Sequence, residues 1–266
     1  MKLYIHSKDQ LIKDYFFFRT TLVSVEQADV VFIDWSDSSL MKIFDSANKL
    51  KKKYIIFDRN LSISPGESNT LRQKGAVLCE PALNFRRKFF NYLPYWIDVK
   101  DINGIKLNTE PRTLDLVFKG HIQDKISSFN KYYIPYANEY PNSVVVDDTA
   151  YNNRSVIKND FKFSEAKATI VIGSDEDYAM GYLDQNFVEA LNNNCIPLVV
   201  PEHKYFSSFS PYYLANEKFD PFDIRYITEN YERTYIGWLL GIHETIRDYY
   251  PEMKVENVVQ QIIDLV

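Results

Sequence analysis

Apolar residues in this chain fall in short, nearly unbroken runs separated by polar stretches. In the first hundred residues the runs are Lys2-Leu3-Tyr4-Ile5-His6, Asp29-Val30-Val31-Phe32-Ile33-Asp34, Lys53-Tyr54-Ile55-Ile56-Phe57-Asp58 and Ala76-Val77-Leu78-Cys79. Continuous β-branched and aromatic runs are what strands covered on both faces require. Between the second and third runs, Leu40, Ile43, Phe44, Ala47 and Leu50 recur at helical spacing over 38–52, with Ser36 or Asp37 placed to cap the helix. Strand, helix and strand with short connections predict a parallel α/β sheet.

The pattern lapses over 94–111, where Pro94, Asp98, Asp101, Asn103, Gly104, Asn108 and Pro111 are loop formers, and then restarts. Leu114-Asp115-Leu116-Val117-Phe118 reads as a strand running into Lys119-Gly120-His121, and Ser143-Val144-Val145-Val146-Asp147 as another. Ala168-Thr169-Ile170-Val171-Ile172 and Ile196-Pro197-Leu198-Val199-Val200 follow, with a helix over 184–193 between them. The tail 231–266 is helical in pattern, broken near Pro251. The expected architecture is therefore two Rossmann-like parallel-sheet α/β domains, 1–105 and 106–266, facing a cleft, the second ending in helices. Ligands in such folds bind at the carboxyl ends of the strands.

Composition narrows the class. The chain has 266 residues, 45% hydrophobic and 25% charged, with a net charge of −5. These values exclude disorder, collagen-like repeats and coiled coil, and the net charge argues against a chain-wide field for polyanions. Two cysteines, Cys79 and Cys195, give no disulfide framework and no structural zinc motif. No signal peptide or membrane-spanning run is read, so a cytoplasmic setting is expected. Only 8 glycines amid plentiful Asn, Lys, Ile and Tyr suit an AT-rich genome such as that of a phage or low-GC bacterium.

The most informative segment runs from Phe163 to Val200. It reads as strand, polar loop, helix, tight turn and strand. In the helix Phe187 and Leu191 face a core, whereas Gln185 and Glu189 lie four apart on another face. The helix starts at a polar loop, where free backbone N–H groups can meet an anion. Glu189-Ala190-Leu191 followed by Cys195-Ile196-Pro197-Leu198-Val199-Val200 resembles the donor-sugar half of GT-B glycosyltransferases, especially the exostosin-like and α1,3-fucosyltransferase-like families. Asn194 stands where those families usually carry Gly, and Asn186 where they place a basic residue against the diphosphate.

The resemblance implies an acceptor-side domain over 1–105 and a nucleotide-sugar domain over 106–266. It makes Glu189 a ligand for donor hydroxyls, with Tyr182, Gln185 and Asn186 beside it. With Asn186 uncharged, the phosphate partner must come from elsewhere: Lys119, followed by Gly120 and His121, or Arg154 or Lys158. The reaction implied is sugar transfer from a nucleotide sugar to an acceptor hydroxyl, without a cofactor or metal. The acceptor is a glycan or a hydroxymethylated base in phage DNA. A general base is then needed. Asp34, Asp58 and His6 end the first-domain strands and are the candidates, in that order; Arg59 beside Asp58 is a possible ion-pair partner for it.

Competing readings remain open at this point. Asp175-Glu176-Asp177 mimics the Asp-x-Asp metal motif of GT-A transferases. Cys195 has no His near it in sequence and reads as a small buried hydrophobe. Phe85-Arg86-Arg87-Lys88-Phe89-Phe90 and Tyr15-Phe16-Phe17-Phe18-Arg19 interleave aromatic and basic residues as single-stranded nucleic-acid surfaces do. An amphipathic helix burying Phe85, Phe89 and Phe90 and exposing Arg86, Arg87 and Lys88 explains the former better. A non-catalytic α/β protein that binds a nucleotide is the alternative function.

Overall fold

The computed structural model describes residues 2–7, 21–35, 44–45, 48–59, 61–84, 87–146, 161–209 and 221–265. Two compact units divide the chain: Met1–Asp98 with Glu252–Val266, and Val99–Pro251. The segment after Pro251 thus belongs to the first unit. No helix among the described residues is long and apolar enough to cross a membrane.

The first unit is built on six parallel strands: β1 (Lys2–His6), β2 (Thr21–Leu22), β3 (Val30–Asp34), β4 (Lys53–Phe57), β5 (Val77–Glu80) and β6 (Phe90–Tyr92). They lie in the order β2-β1-β3-β4-β5-β6. Strand β3 is buried at every position, as its unbroken apolar run requires. Val31, Ile33, Tyr54, Ile56 and Leu78 pack on one face with Leu71. Phe32 and Phe57 meet Trp96 at ring-centroid distances of 6.2 and 5.8 Å. Leu71 belongs to the helix Pro65–Gln73, which starts at a full capping box: Ser64 Oγ accepts from Glu67 N, and the Glu67 carboxylate accepts from Ser64 N at 2.8 Å. Of the helix expected over 38–52, residues 44–45 and 48–49 are helical; its caps Ser36 and Asp37 lie outside the described residues, as do Tyr15 to Arg19. The helix Val255–Asp264 follows a backbone exchange in which Ile97 N donates to Met253 O at 2.8 Å and Val255 N donates to Ile97 O at 3.2 Å.

The amphipathic helix expected over 85–90 is not formed at its described positions. Lys88 and Phe89 make a turn, and Phe90 begins the edge strand β6, with Phe90 opposite Leu78. Arg87 therefore points inward to buried carboxylates and Phe89 outward, 42% exposed, the reverse of the helical expectation.

The second unit carries four parallel strands, β7 (Leu114–Lys119), β8 (Ser143–Val146), β9 (Ala166–Val171) and β10 (Ile196–Val199), in the order β10-β9-β7-β8. In both sheets the second strand of the unit flanks the first on one side while the third and fourth lie on the other. The chain reverses direction of build-up at β1/β3 and again at β7/β9. Such switch points leave a crevice outside the carboxyl ends of the two strands.

The helix Asn186–Asn192 buries Phe187 and Leu191 and leaves Glu189 partly open, as its spacing predicts. Cys195 packs with Val117, Phe163, Ala166 and Ala190, and burial pushes its thiol pKa upward, away from nucleophilic use. The turn into β10 needs a left-handed residue: Asn194 has φ 56°, a conformation that Asn takes more readily than any other residue with a Cβ apart from Asp. Its side chain also donates to Lys106 O at 2.8 Å and Asn108 Oδ1 at 3.1 Å. Replacing Asn194 with Ala should destabilise the protein by about 1–2 kcal/mol, whereas Gly should cost less; urea denaturation of both variants checks the order.

Arg112 closes this corner without a carboxylate partner among the described residues. Its guanidinium donates to Phe163 O at 2.8 Å, Asn108 Oδ1 at 2.9 Å and Asn193 O at 2.7 Å. A buried charge is tolerable here because its protons are directed to carbonyl oxygens.

Candidate functional site

At the β7/β9 switch point of the second unit, the Lys119 ammonium lies 2.6 Å from the Glu189 carboxylate. Lys119 is the last residue of β7, and Glu189 sits one turn into the helix Asn186–Asn192, 70 residues later. The side chains are 35% and 28% exposed, so a ligand can reach both charges. Asn186 Nδ2 donates to Lys119 O at 3.0 Å, fixing the helix to the strand end. Gly120 follows with φ 140°, a conformation that side chains other than Gly rarely take, and its N–H donates to Val146 O at 3.0 Å. His121 is exposed, and Tyr182 and Gln185 are half-buried beside the same helix start. Arg154 and Lys158 lie outside the described residues.

A second ion pair underlies this one. Asp184 contacts Lys125 at 2.9 Å and accepts from Asn186 N at 2.9 Å. Burial pushes the Asp184 carboxyl up, but Lys125 and the Asn186 N–H outweigh it and hold it below its ordinary value. This pair was not legible in the sequence, because its members are 59 positions apart and match no motif.

The Asp175-Glu176-Asp177 triplet opens the helix Asp175–Met180. Asp177 Oδ2 accepts from Ser174 N at 2.8 Å and Ser174 Oγ accepts from Asp177 N at 3.1 Å, so this carboxylate is occupied in a capping box. Gly173 cannot be larger, since an added Cβ would lie 2.8 Å from Asp177 Cβ. Among the described residues, no group of three or more His, Cys, Asp or Glu side chains could hold a metal ion. His203 is packed edge-on to Tyr178 at 4.7 Å, and its burial lowers the imidazole pKa to about 3, keeping the ring neutral.

In the first unit the carboxyl ends of β1, β3, β4 and β5 carry a line of enclosed charges. Ser7 Oγ donates to Asp34 Oδ2 at 2.6 Å, and Arg59 meets the same oxygen at 3.0 Å. Asp58 accepts from Ser62 N at 2.8 Å, Ile63 N at 2.9 Å and Arg87 at 2.8 Å. Arg87 Nε donates to Glu80 at 2.6 Å. Burial first, and Asp58 in addition, lift the Glu80 pKa to about 7 against the pull of Arg87. The expected pairing of Arg59 with Asp58 is thus corrected: Arg59 serves Asp34 on the neighbouring strand, and Arg87 serves Asp58.

Of the three base candidates, Asp34 and Asp58 are fully buried. His6 is half-buried at the β1/β3 switch point, with Tyr4 Oη 3.5 Å from its Nδ1.

No family model matches the chain, and no curated protein matches it. Among solved structures it is similar to the DNA-modifying enzyme beta-glucosyltransferase, determined in the presence and absence of the substrate uridine diphosphoglucose. The TM-score is 0.52 at 14% identity, over 100% of this chain and 99% of that one. This likeness supports the GT-B fold that the sequence resemblance implied, but not the exostosin-like or α1,3-fucosyltransferase-like families within it. At that identity it establishes the fold, and the fold is GT-B: two parallel-sheet α/β units with terminal helices.

Proposed function

We propose that this chain is a glycosyltransferase that moves a sugar from a nucleotide-sugar donor to an acceptor hydroxyl, without a metal ion. The observation that carries the reading is the Lys119–Glu189 pair at the switch point of the second sheet. Glu189 accepts hydrogen bonds from the donor's sugar hydroxyls. Lys119 places its charge on the diphosphate, a role that the uncharged Asn186 cannot fill, and stabilises the leaving group as negative charge develops there. The acceptor is a hydroxyl on DNA, by analogy with the solved enzyme that shares the fold; a glycan hydroxyl is the other acceptor class. His6 is the general base, because it is only half-buried at a strand end where the two carboxylates are fully buried.

Uridine diphosphoglucose is the donor to try first. Glu189→Ala should weaken its binding about tenfold to a hundredfold, since charged hydrogen bonds contribute about 1.5–3 kcal/mol each. The fold should hold, because a partly exposed ion pair contributes about 0–1 kcal/mol. Isothermal titration of both forms is the test; unchanged affinity would remove Glu189 from the donor site. Transfer of labelled sugar should also be indifferent to EDTA, and a loss of activity with the chelator would favour a metal held by Asp175 and Asp177.

The enclosure of Asp34 and Asp58 favours one second reading, a nucleotide-binding protein without catalysis. Donor binding with no transfer to any DNA or glycan acceptor would establish it.

A further inference from the structure

The segment that fails to form a helix presents an unusual surface. Phe89 has φ 83°, a left-handed conformation that is a true outlier for a bulky side chain, yet the residue is 42% exposed. The Arg72 guanidinium lies 3.3 Å from the ring centroid, and the Lys88 ammonium lies 5.0 Å from it. Arg72 and Lys88 are exposed, and neither has a carboxylate partner among the described residues. No acidic residue occurs in 72–75 or 87–92, whereas Lys74 adds a third exposed positive charge. In a chain of net charge −5, a patch without counter-ions has to be held locally.

Protection of the β6 edge explains charge there, since lysines on an edge strand discourage strand pairing. It does not explain an exposed aromatic ring on a strained backbone between two cations. Strain of this kind persists where the surrounding structure imposes it, and it concentrates at ligand-binding positions.

We propose that Arg72, Lys88 and Phe89 form a binding surface for the acceptor nucleic acid, the cations meeting backbone phosphates and the Phe89 ring stacking on a base or sugar. This rests on DNA being the acceptor. Cations over an aromatic platform are what binding without sequence preference requires.

The test is fluorescence anisotropy of the full chain with labelled DNA across a salt series, together with thermal unfolding. Arg72→Gln with Lys88→Gln should lower the slope of log K against log salt by about 1.4 on single-stranded DNA, at about 0.7 for each phosphate left without its cation, and by about 1.8 on duplex, at about 0.9 each. Phe89→Gly should weaken DNA binding about 5- to 150-fold, the range that one stacked base supports, while Tm stays level or rises because the backbone strain is relieved. A ring that serves only as structural packing gives the opposite: Tm falls and affinity holds. If the native chain binds DNA and the double variant keeps its slope, the surface is wrong and the acceptor stands. If the native chain binds no DNA, both fall, and the donor site is judged by Glu189 alone.

Discussion

Arg87→Met should be the most destabilising single change among the charged residues, with a loss of roughly 3–5 kcal/mol. One guanidinium, itself 16% exposed, serves two carboxylates whose side chains are 0% and 2% exposed. Removing it leaves Glu80 without its ion pair and Asp58 with only the Ser62 and Ile63 donors. The effect should depend on pH in a defined direction. In the folded protein Glu80 has a pKa of about 7, above the ordinary 4.5 of the unfolded chain. Between these values the folded state retains a proton that the unfolded state has released, so the contribution of Glu80 to stability is fully present below about 4.5 and is lost as pH rises through about 7. In Arg87→Met the influence that lowers the Glu80 pKa is gone, and the decline should extend to higher pH. Glu80→Gln should flatten the slope in both backgrounds. Urea denaturation at a series of pH values measures all four forms.

His6→Gln should lower turnover by a factor of about 10²–10⁴ while donor affinity stays unchanged, the range expected on removing a general base. Asp34→Asn should behave differently. It disrupts a buried pair with Arg59, so its main effect should be a lower Tm. Single-turnover transfer assays on both variants, with Tm measured alongside, separate a chemical from a structural role. A folded His6→Gln enzyme that turns over normally, beside an inactive but folded Asp34→Asn, would move the base to Asp34. Asp58 is the least suited of the three, because Ser62, Ile63 and Arg87 already occupy both of its oxygens.

The strand runs were legible from sequence because a sheet covered on both faces leaves no position open to water: Val30 to Asp34 is buried throughout, and its first four residues are apolar. The helix Asn186–Asn192 was legible for a related reason, Phe187 and Leu191 of its four buried residues lying four apart. Lys119 and Glu189 could each be picked out, one at a strand end and the other on the open face of that helix. Their separation of 2.6 Å is a property of the fold alone.

Charge pairing was hidden further. Parallel strands bring the carboxyl ends of β3, β4 and β5 side by side, so the partner of Asp58 is Arg87, 29 positions away, rather than adjacent Arg59. Strand order is decided by how two faces are covered, and no local spacing encodes it. Strand β6 was misread because three residues are too few to reveal a period, and alternating Phe and basic residues satisfy a helix equally well. The sequence reading placed the terminal helix with the second domain, whereas the structure groups Glu252–Val266 with the first unit. An apolar stripe specifies that a helix must be covered, and only the tertiary structure determines which sheet covers it.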